Sequence, residues 1–164
     1  LAALCAGNGG SVEEAARLGL LGLLVAALAA HPDPGAELMD AACQAVSALC
    51  RGHAGHAEEA ARAGLLGQLA GMLMHAPPGS ALVGAVAAAV SDVCEGSSAN
   101  AEDAARSGIL GTMQVSLASR LQSPSKADAD GVAALCGAVA TIAGGSSSGR
   151  DEALRLGLLA EVRG

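Results

Sequence analysis

Apolar residues recur along this chain in short stripes, and the stripes themselves recur. Leu20, Leu24 and Leu28 are spaced by four, and the pattern returns at Leu65, Leu69 and Leu73 and at Ile109, Met113 and Leu117. A spacing of four keeps one side of an α-helix apolar. Each stripe follows the same polar phrase. Val12-Glu-Glu-Ala-Ala-Arg-Leu-Gly-Leu-Leu21 returns as Ala57-Glu-Glu-Ala-Ala-Arg-Ala-Gly-Leu-Leu66 and as Ala101-Glu-Asp-Ala-Ala-Arg-Ser-Gly-Ile-Leu110. A looser copy is Arg150-Asp-Glu-Ala-Leu-Arg-Leu-Gly-Leu-Leu159. Successive copies begin 45, 44 and 49 residues apart, counted from Val12 to Ala57, Ala101 and Arg150. A period of this size marks a stacked repeat array, in which each unit buries its apolar side against the next.

Each unit divides into three predicted helices. The first is short, from about Ser11, His56, Asn100 or Gly149 to the glycine at Gly19, Gly64, Gly108 or Gly157. Ser11 and Asn100 are expected N-caps, and the acidic pair that follows suits the positive end of the helix dipole. The glycine breaks that helix and permits a sharp corner into the second, which carries the stripe. A Pro- or Ser-bearing turn follows at His31–Pro34, Pro77–Gly79 and Ser123–Ser125. The third helix is the longest, about Glu37–Arg51, Ser80–Glu95 and Lys126–Ala143, closing on Gly52, Gly96 and Gly144.

This layout of short helix, glycine corner, medium helix and long helix resembles the armadillo repeat. The phrase from Asn100 to Leu110 looks like that family's first-to-second helix junction, and Ala42–Cys50 is similar to its third-helix core. The resemblance implies an all-α, right-handed α-solenoid. A two-helix HEAT-like array is the alternative, and the repeated glycine corner argues against it. The whole chain, residues 1–164, reads as a single array: 1–10 the end of a truncated repeat, 11–55 and 56–99 repeats, 100–148 a repeat with a longer loop, and 149–164 a truncated one. Neither end carries the polar capping face of a terminal repeat, so the array is expected to be part of a longer chain or larger assembly.

Composition sharpens this picture. The chain is 52% hydrophobic with 23 glycines and has no Phe, Tyr or Trp. Such a core must be built from Leu, Val, Ile, Met and Ala, which favours helices and their close approach. A net charge of −7 argues against general nucleic-acid binding, which needs clustered Lys and Arg, and leaves room for a basic protein partner. The longest apolar run, Leu18 to Ala30, falls short of the ~18 residues of a membrane span. Of five cysteines, Cys5, Cys50 and Cys94 share one repeat position, where the next unit has Ala143; Cys43 and Cys136 share another, with Ala87 between them. Positions that alternate Cys with Ala are small buried slots, so free thiols and a reducing intracellular compartment, the cytoplasm, are expected.

Several motifs imitate chemistry and dissolve when compared with their repeat counterparts. The acidic pairs Glu13-Glu14, Glu58-Glu59, Glu102-Asp103 and Asp151-Glu152 diverge by about 100° on a helix, so they make no acid/base dyad. The first acid of each stands four residues before an arginine (Arg17, Arg62, Arg106 and Arg155), the favourable helical ion-pair order. Cys50, His53 and His56 have metal-like spacing, yet the histidines are replaced by cap and loop residues in neighbouring units, and a fourth ligand is wanting. Gly144–Asp151 mimics a phosphate loop, but it has Arg150 where the motif needs Lys, follows a helix, and is expected to be a flexible connector. Asp128-Ala-Asp130-Gly131 imitates a calcium loop without the ligands at either end. No catalytic residue, metal or cofactor is expected, and the chain reads as a non-enzyme.

The resemblance implies that the third helices line a concave groove for protein partners. In nuclear-import carriers of the family an Asn near the end of that helix binds peptide backbone, and a Trp four residues earlier stacks on side chains. The equivalent positions here are Ala3, Ala48, Asp92 and Thr141 for Asn, and Gln44, Ala88 and Gly137 for Trp. Neither ladder is present, so the import-type cargo carrier is the least favoured reading. Asp40, Gln44, Ala48, Arg51, Ala88, Asp92, Glu95, Gly137 and Thr141 form the candidate protein-binding face, suited to a helical or basic segment. The function expected is a non-catalytic interaction scaffold or adaptor; the alternative is a structural subunit of a large cytoskeletal or ciliary assembly. The third repeat is five residues longer than the second, which makes the Ser119–Ser125 loop a candidate contact or phosphorylation site.

Overall fold

The computed structural model describes residues 10, 13–14, 18–30, 36–77, 80–122 and 126–161. The expected cap at Ser11, the arginine Arg17, Cys5 and Ala3, and most of the three Pro- or Ser-bearing turns lie outside them. The chain forms α1 (Leu20–Ala30), α2 (Ala36–Cys50), α3 (Ala54–Arg62), α4 (Leu65–His75), α5 (Leu82–Cys94), α6 (Ser98–Arg106), α7 (Ile109–Gln122), α8 (Lys126–Gly145), α9 (Ser147–Arg155) and α10 (Leu158–Glu161), with no strand among the described residues. Third helices α2, α5 and α8 stack side by side in the most extensive contact of the molecule. Second helices α1, α4 and α7 form another row, and first helices α3, α6 and α9 a third. One continuous apolar core runs from Leu21 to Leu158 through all three rows. The stripes Leu65/Leu69/Leu73 and Ile109/Met113/Leu117 are buried as read; in α1 the buried set is Leu21, Val25 and Leu28, with Leu20 and Leu24 half-buried.

The glycine corners are present at every first-to-second junction: φ is 68° at Gly19, 85° at Gly64, 79° at Gly108 and 74° at Gly157. A side chain at these left-handed positions would be strained, which explains why this residue is constant through the repeats. Gly52 and Gly96 end α2 and α5 with φ of 74° and 72°. The next unit departs from the reading. Helix α8 continues through Gly144 to Gly145, and neither glycine has positive φ. Gly145 is there for space: a Cβ on it would stand 2.7 Å from the Ala101 Cβ. The stretch expected to be a flexible connector is therefore a one-residue junction, Ser146, between two helices.

The first helices α3, α6 and α9 each begin two residues before the position read from sequence, and the caps of α6 and α9 differ from that reading. Ser97 caps α6 by accepting from the Asn100 N–H at 3.3 Å, and Ser146 caps α9 by accepting from the Gly149 N–H at 2.9 Å. Asn100 is thus not the cap but a buried clamp, its Nδ2 donating to the Val93 carbonyl at 2.8 Å. One unit earlier, His56 Nδ1–H donates to the equivalent Leu49 carbonyl at 3.0 Å. These bonds satisfy carbonyls that the last turn of a third helix leaves without an intrahelical partner. One unit later the position is Gly149, where a Cβ would meet the Ile142 carbonyl oxygen at 2.5 Å. The same junction is closed by a long donor, a shorter donor, and direct backbone approach.

The small slots are as expected. Cys43, Cys50 and Cys94 are free and buried, Ala87 and Ala143 occupy the corresponding places, and Cys136 is free and half-buried. Burial is the main cause that pushes the Cys43, Cys50 and Cys94 thiols up to about 12. The extra residues of the third repeat mainly lengthen a helix: α7 runs to Gln122, so Ser119 is helical and residues 123–125 of the expected loop lie outside the described set. This extension carries Arg120 into a buried position, its guanidinium against Gly131 of α8.

Candidate protein-interaction face

The nine residues read from sequence all sit on α2, α5 and α8 or one residue beyond their ends, and the stacking of those helices brings them onto one row. Gln44, Arg51, Glu95 and Gly137 are exposed; Asp40, Ala48, Ala88 and Thr141 are half-buried; Asp92 is buried. Gln44 Nε2 donates to the Asp40 carboxylate at 2.8 Å, one helical turn back.

Asp92 belongs to a bond between repeats. Its carboxylate accepts from the Ser47 hydroxyl, from Arg51 Nε at 3.2 Å and from Arg51 Nη2 at 3.0 Å. Arg51 Nη2 also donates to Ser47 Oγ at 3.3 Å, which closes a three-residue network. The hydrogen-bonded Asp92 carboxylate holds the Arg51 guanidinium above its ordinary value. The Asp92 side chain is 10% exposed and that of Arg51 68%, so the network anchors a solvent-facing cation on a buried anion. One unit on, Ser91 Oγ and Thr141 Oγ1 share a hydrogen bond of 2.8 Å, and Thr141 also donates to the Gly137 carbonyl within its helix. Ser47 and Ser91 are repeat equivalents, and so are Asp92 and Thr141. The face therefore has a lateral ladder in one register, built from the position where import carriers keep Asn and the position just before it.

Ser47 and Ser91 were missed in the sequence reading. Their signal was a small polar residue recurring 44 residues apart in otherwise apolar helices, with Ala140 in the third copy. Electrostatically, the described side chains of the row are mainly acidic. Glu37 and Asp130 are exposed at equivalent positions, Asp40 and Glu95 add two more carboxylates, and the charge of Arg51 is offset by Asp92.

The first helices carry surface ion pairs. Glu58–Arg62 at 3.0 Å and Glu102–Arg106 at 3.3 Å follow the expected order, while Asp103 adds a second contact to Arg106 at 3.3 Å. In the last copy Arg155 turns to Glu152, three residues before it, at 2.5 Å, in place of Asp151. His53 and His56 stack with ring centroids 5.0 Å apart, and Cys50 points into the core. Among the described residues no group of three His, Cys, Asp or Glu stands where it could share a metal ion, and no helix is long and apolar enough to cross a membrane.

No family model matches this sequence, and no curated protein matches it. Among solved structures, the chain is similar to a designed armadillo repeat protein in complex with the peptide (KR)4. The TM-score is 0.78 at 18% identity, over 95% of this chain and 60% of the designed one. The chain has an armadillo-like repeat fold, an all-α solenoid of three-helix units, and spans about 60% of the length of that structural relative.

Proposed function

We propose that this chain is a non-catalytic protein-binding scaffold that receives a basic, helical segment of another protein on its third-helix face. The observation that carries the reading is the charge of that row. Among its described side chains stand the exposed carboxylates Glu37, Glu95 and Asp130 and the half-buried Asp40, against one arginine, Arg51, which is already paired. Complementary charge steers association and fixes orientation more than it adds affinity. The designed relative was solved with a basic peptide, which accords with this choice of partner. A row of small residues such as Ala48, Ala88 and Gly137 lets a helix lie close, while aromatic anchors for an extended peptide are absent from the sequence. The import-carrier mode lacks its residues, since Asp92 and Thr141 stand where Asn would be and both are engaged between repeats. A reducing, cytoplasmic setting agrees with the buried free thiols.

The test is titration of a fluorescent (Lys-Arg)4 peptide, read by anisotropy, against wild type, Asp40→Lys/Glu95→Lys and a control, Glu59→Lys/Asp151→Lys. The control changes net charge equally on the first-helix row. The groove variant should lose at least about tenfold in affinity, a change of about 1.4 kcal/mol, and the control much less. Equal losses in both variants would mean that the peptide feels only the net charge, and the assignment of the face would fail. Asp92 is unsuitable for this test because its removal damages the seam between repeats.

A further inference from the structure

Three independent features of the second-helix row are unexplained by the fold. The first is a pair of clefts one period apart. One of about 310 Å³ lies between α1 and α4, with Leu28, Gly71 and Met72 in its walls. The other, of about 430 Å³, lies between α4 and α7, with the equivalent Leu73, Val115 and Ser116. Met74 and Val115, each 68% exposed, stand on the second cleft, and α1 exposes Leu23 at 64%.

The second feature is charge. Helix α1 has no ionisable residue, α4 has only His75, and α7 has only Arg120, which is 5% exposed. In a chain of net charge −7, the helices α1, α4 and α7 carry no carboxylate. The third feature is the glycine that is the third residue of α1, α4 and α7, Gly22, Gly67 and Gly111, where α10 has Ala160. A Cβ on any of them would meet nothing within 4 Å. Glycine inside a helix costs about 0.5–1 kcal/mol relative to Ala, so these three weaken their helices while freeing space that no described residue fills.

We infer that the second-helix row is a self-association surface, and that its occupant is the same row of a second copy of this chain. Charge selects the occupant. A second copy brings −7 of its own, so contact through the first or third helices would set carboxylate against carboxylate, Glu59 or Asp103 on one row and Asp40 or Glu95 on the other. The second-helix row is where two copies meet without that repulsion. It is also self-complementary: a two-fold contact seats the Met74 and Val115 ridge of one copy in the cleft of its partner, and the bare glycines let the backbones approach. The acidic residues of the third-helix face, Asp40 and Glu95, are not part of either cleft and stay available in such a dimer.

Sedimentation velocity across micromolar to near-millimolar concentrations tests this. A reversible dimer is expected, and added salt should leave it intact or strengthen it, because screening removes only the repulsion between like-charged copies. Val115→Asp should raise the dimer Kd by about a hundredfold, since a two-fold contact buries the new carboxylate twice. Its exposed position keeps the monomer folded, which circular dichroism will verify. Gly67→Ala/Gly111→Ala gives an independent reading: the thermal midpoint should rise while dimerisation weakens at least about tenfold, a split that loss of fold cannot produce. A monomer at every concentration, a dimer that salt dissociates, or a dimer indifferent to Val115→Asp would each overturn the inference. If the monomer instead bound an uncharged amphipathic helical peptide, the row would belong to a different protein.

Discussion

The third-helix row and the second-helix row stack the same repeats with opposite chemistry. Between third helices the lateral contact includes polar bonds, a buried one from Ser47 to Asp92 and part-buried ones from Arg51 to Asp92 and between Ser91 and Thr141, with the serines at equivalent positions in successive units. Between second helices α1, α4 and α7 the contact is mainly apolar and leaves clefts of about 310 and 430 Å³, and the row's polar bond to the next unit stands at its end, where Gln114 Nε2 donates to the Leu156 carbonyl at 2.8 Å. Apolar contacts are non-directional and tolerate sliding, whereas a buried hydrogen bond is lost when its register shifts. One row joins its repeats by a ladder of polar bonds, and the other carries the exposed apolar side chains Met74 and Val115 on which the proposed self-association rests.

The largest expected effect lies directly behind the latched row. Cys43, Cys50 and Cys94 line its apolar back, and their thiols rise from an ordinary 9.0 to about 12 in the folded chain. A raised folded pKa means that stability is complete below pH 9 and is lost as pH climbs from about 9 towards 12, because only the unfolded chain ionises there. Between pH 9 and 10 the loss should be about 1 kcal/mol per thiol, about 3 kcal/mol for the three. Urea titrations at both pH values measure it, and a triple Cys→Ala variant should flatten the dependence. An unchanged slope in that variant would mean that the thiols are not the groups responsible.

Next in size is the latch itself. Asp92→Ala should cost about 2 kcal/mol, because it strands the buried Ser47 hydroxyl and frees Arg51 from its anion. By contrast, an alanine at Gln68, a half-buried residue of the cleft-bearing row whose buried Oε1 has no hydrogen-bond partner, should cost well under about 1 kcal/mol. Paired chemical melts of the two variants decide the matter. Equal losses would erase the distinction between the two rows.

Much of this was legible in the sequence, for a local reason. Glycine corners, apolar stripes and Cys/Ala slots are each set within one repeat, so a period in the sequence is enough to reveal them. Gly64 and Gly108 turn the chain, and Leu65, Leu69 and Leu73 are buried where the spacing puts them. The errors arose where two residues competed for one role. Ser97 and Asn100 are both good caps by type; the serine caps, and the asparagine reaches the preceding helix. Gly144 and Gly145 are adjacent, and only a contact with Ala101 tells which one needs to be glycine. Asp92 looked like a free groove carboxylate because its partners lie 41 and 45 residues away, beyond any helical spacing. The clefts and the empty space above Gly67 and Gly111 leave no trace in sequence, since both depend on how far apart two second helices stand.

The smallest effect offers the finest resolution of the latch. Thr141 occupies in the next repeat the position that Asp92 holds, and it makes a neutral hydroxyl–hydroxyl bond with Ser91. Replacing Asp92→Thr should therefore transplant the neutral version of the bond, with Ser47 as its partner, and cost less than about 1 kcal/mol where Asp92→Ala costs about 2. The variant separates two roles that the wild-type residue combines. If the hydroxyl bond alone fixes the register, Asp92→Thr will hold its melting midpoint close to wild type. Arg51 will then stand free, and the row will lose affinity for (Lys-Arg)4 through the added positive charge. If the ion pair is what matters, the midpoint will fall as far as it does for Asp92→Ala. A Ser47→Ala variant measured alongside supplies the control, since it removes the hydroxyl bond and keeps the pair of Arg51 with Asp92. The two single changes thus divide the latch between geometry and charge, and the array would hold its repeats by whichever loss is the greater.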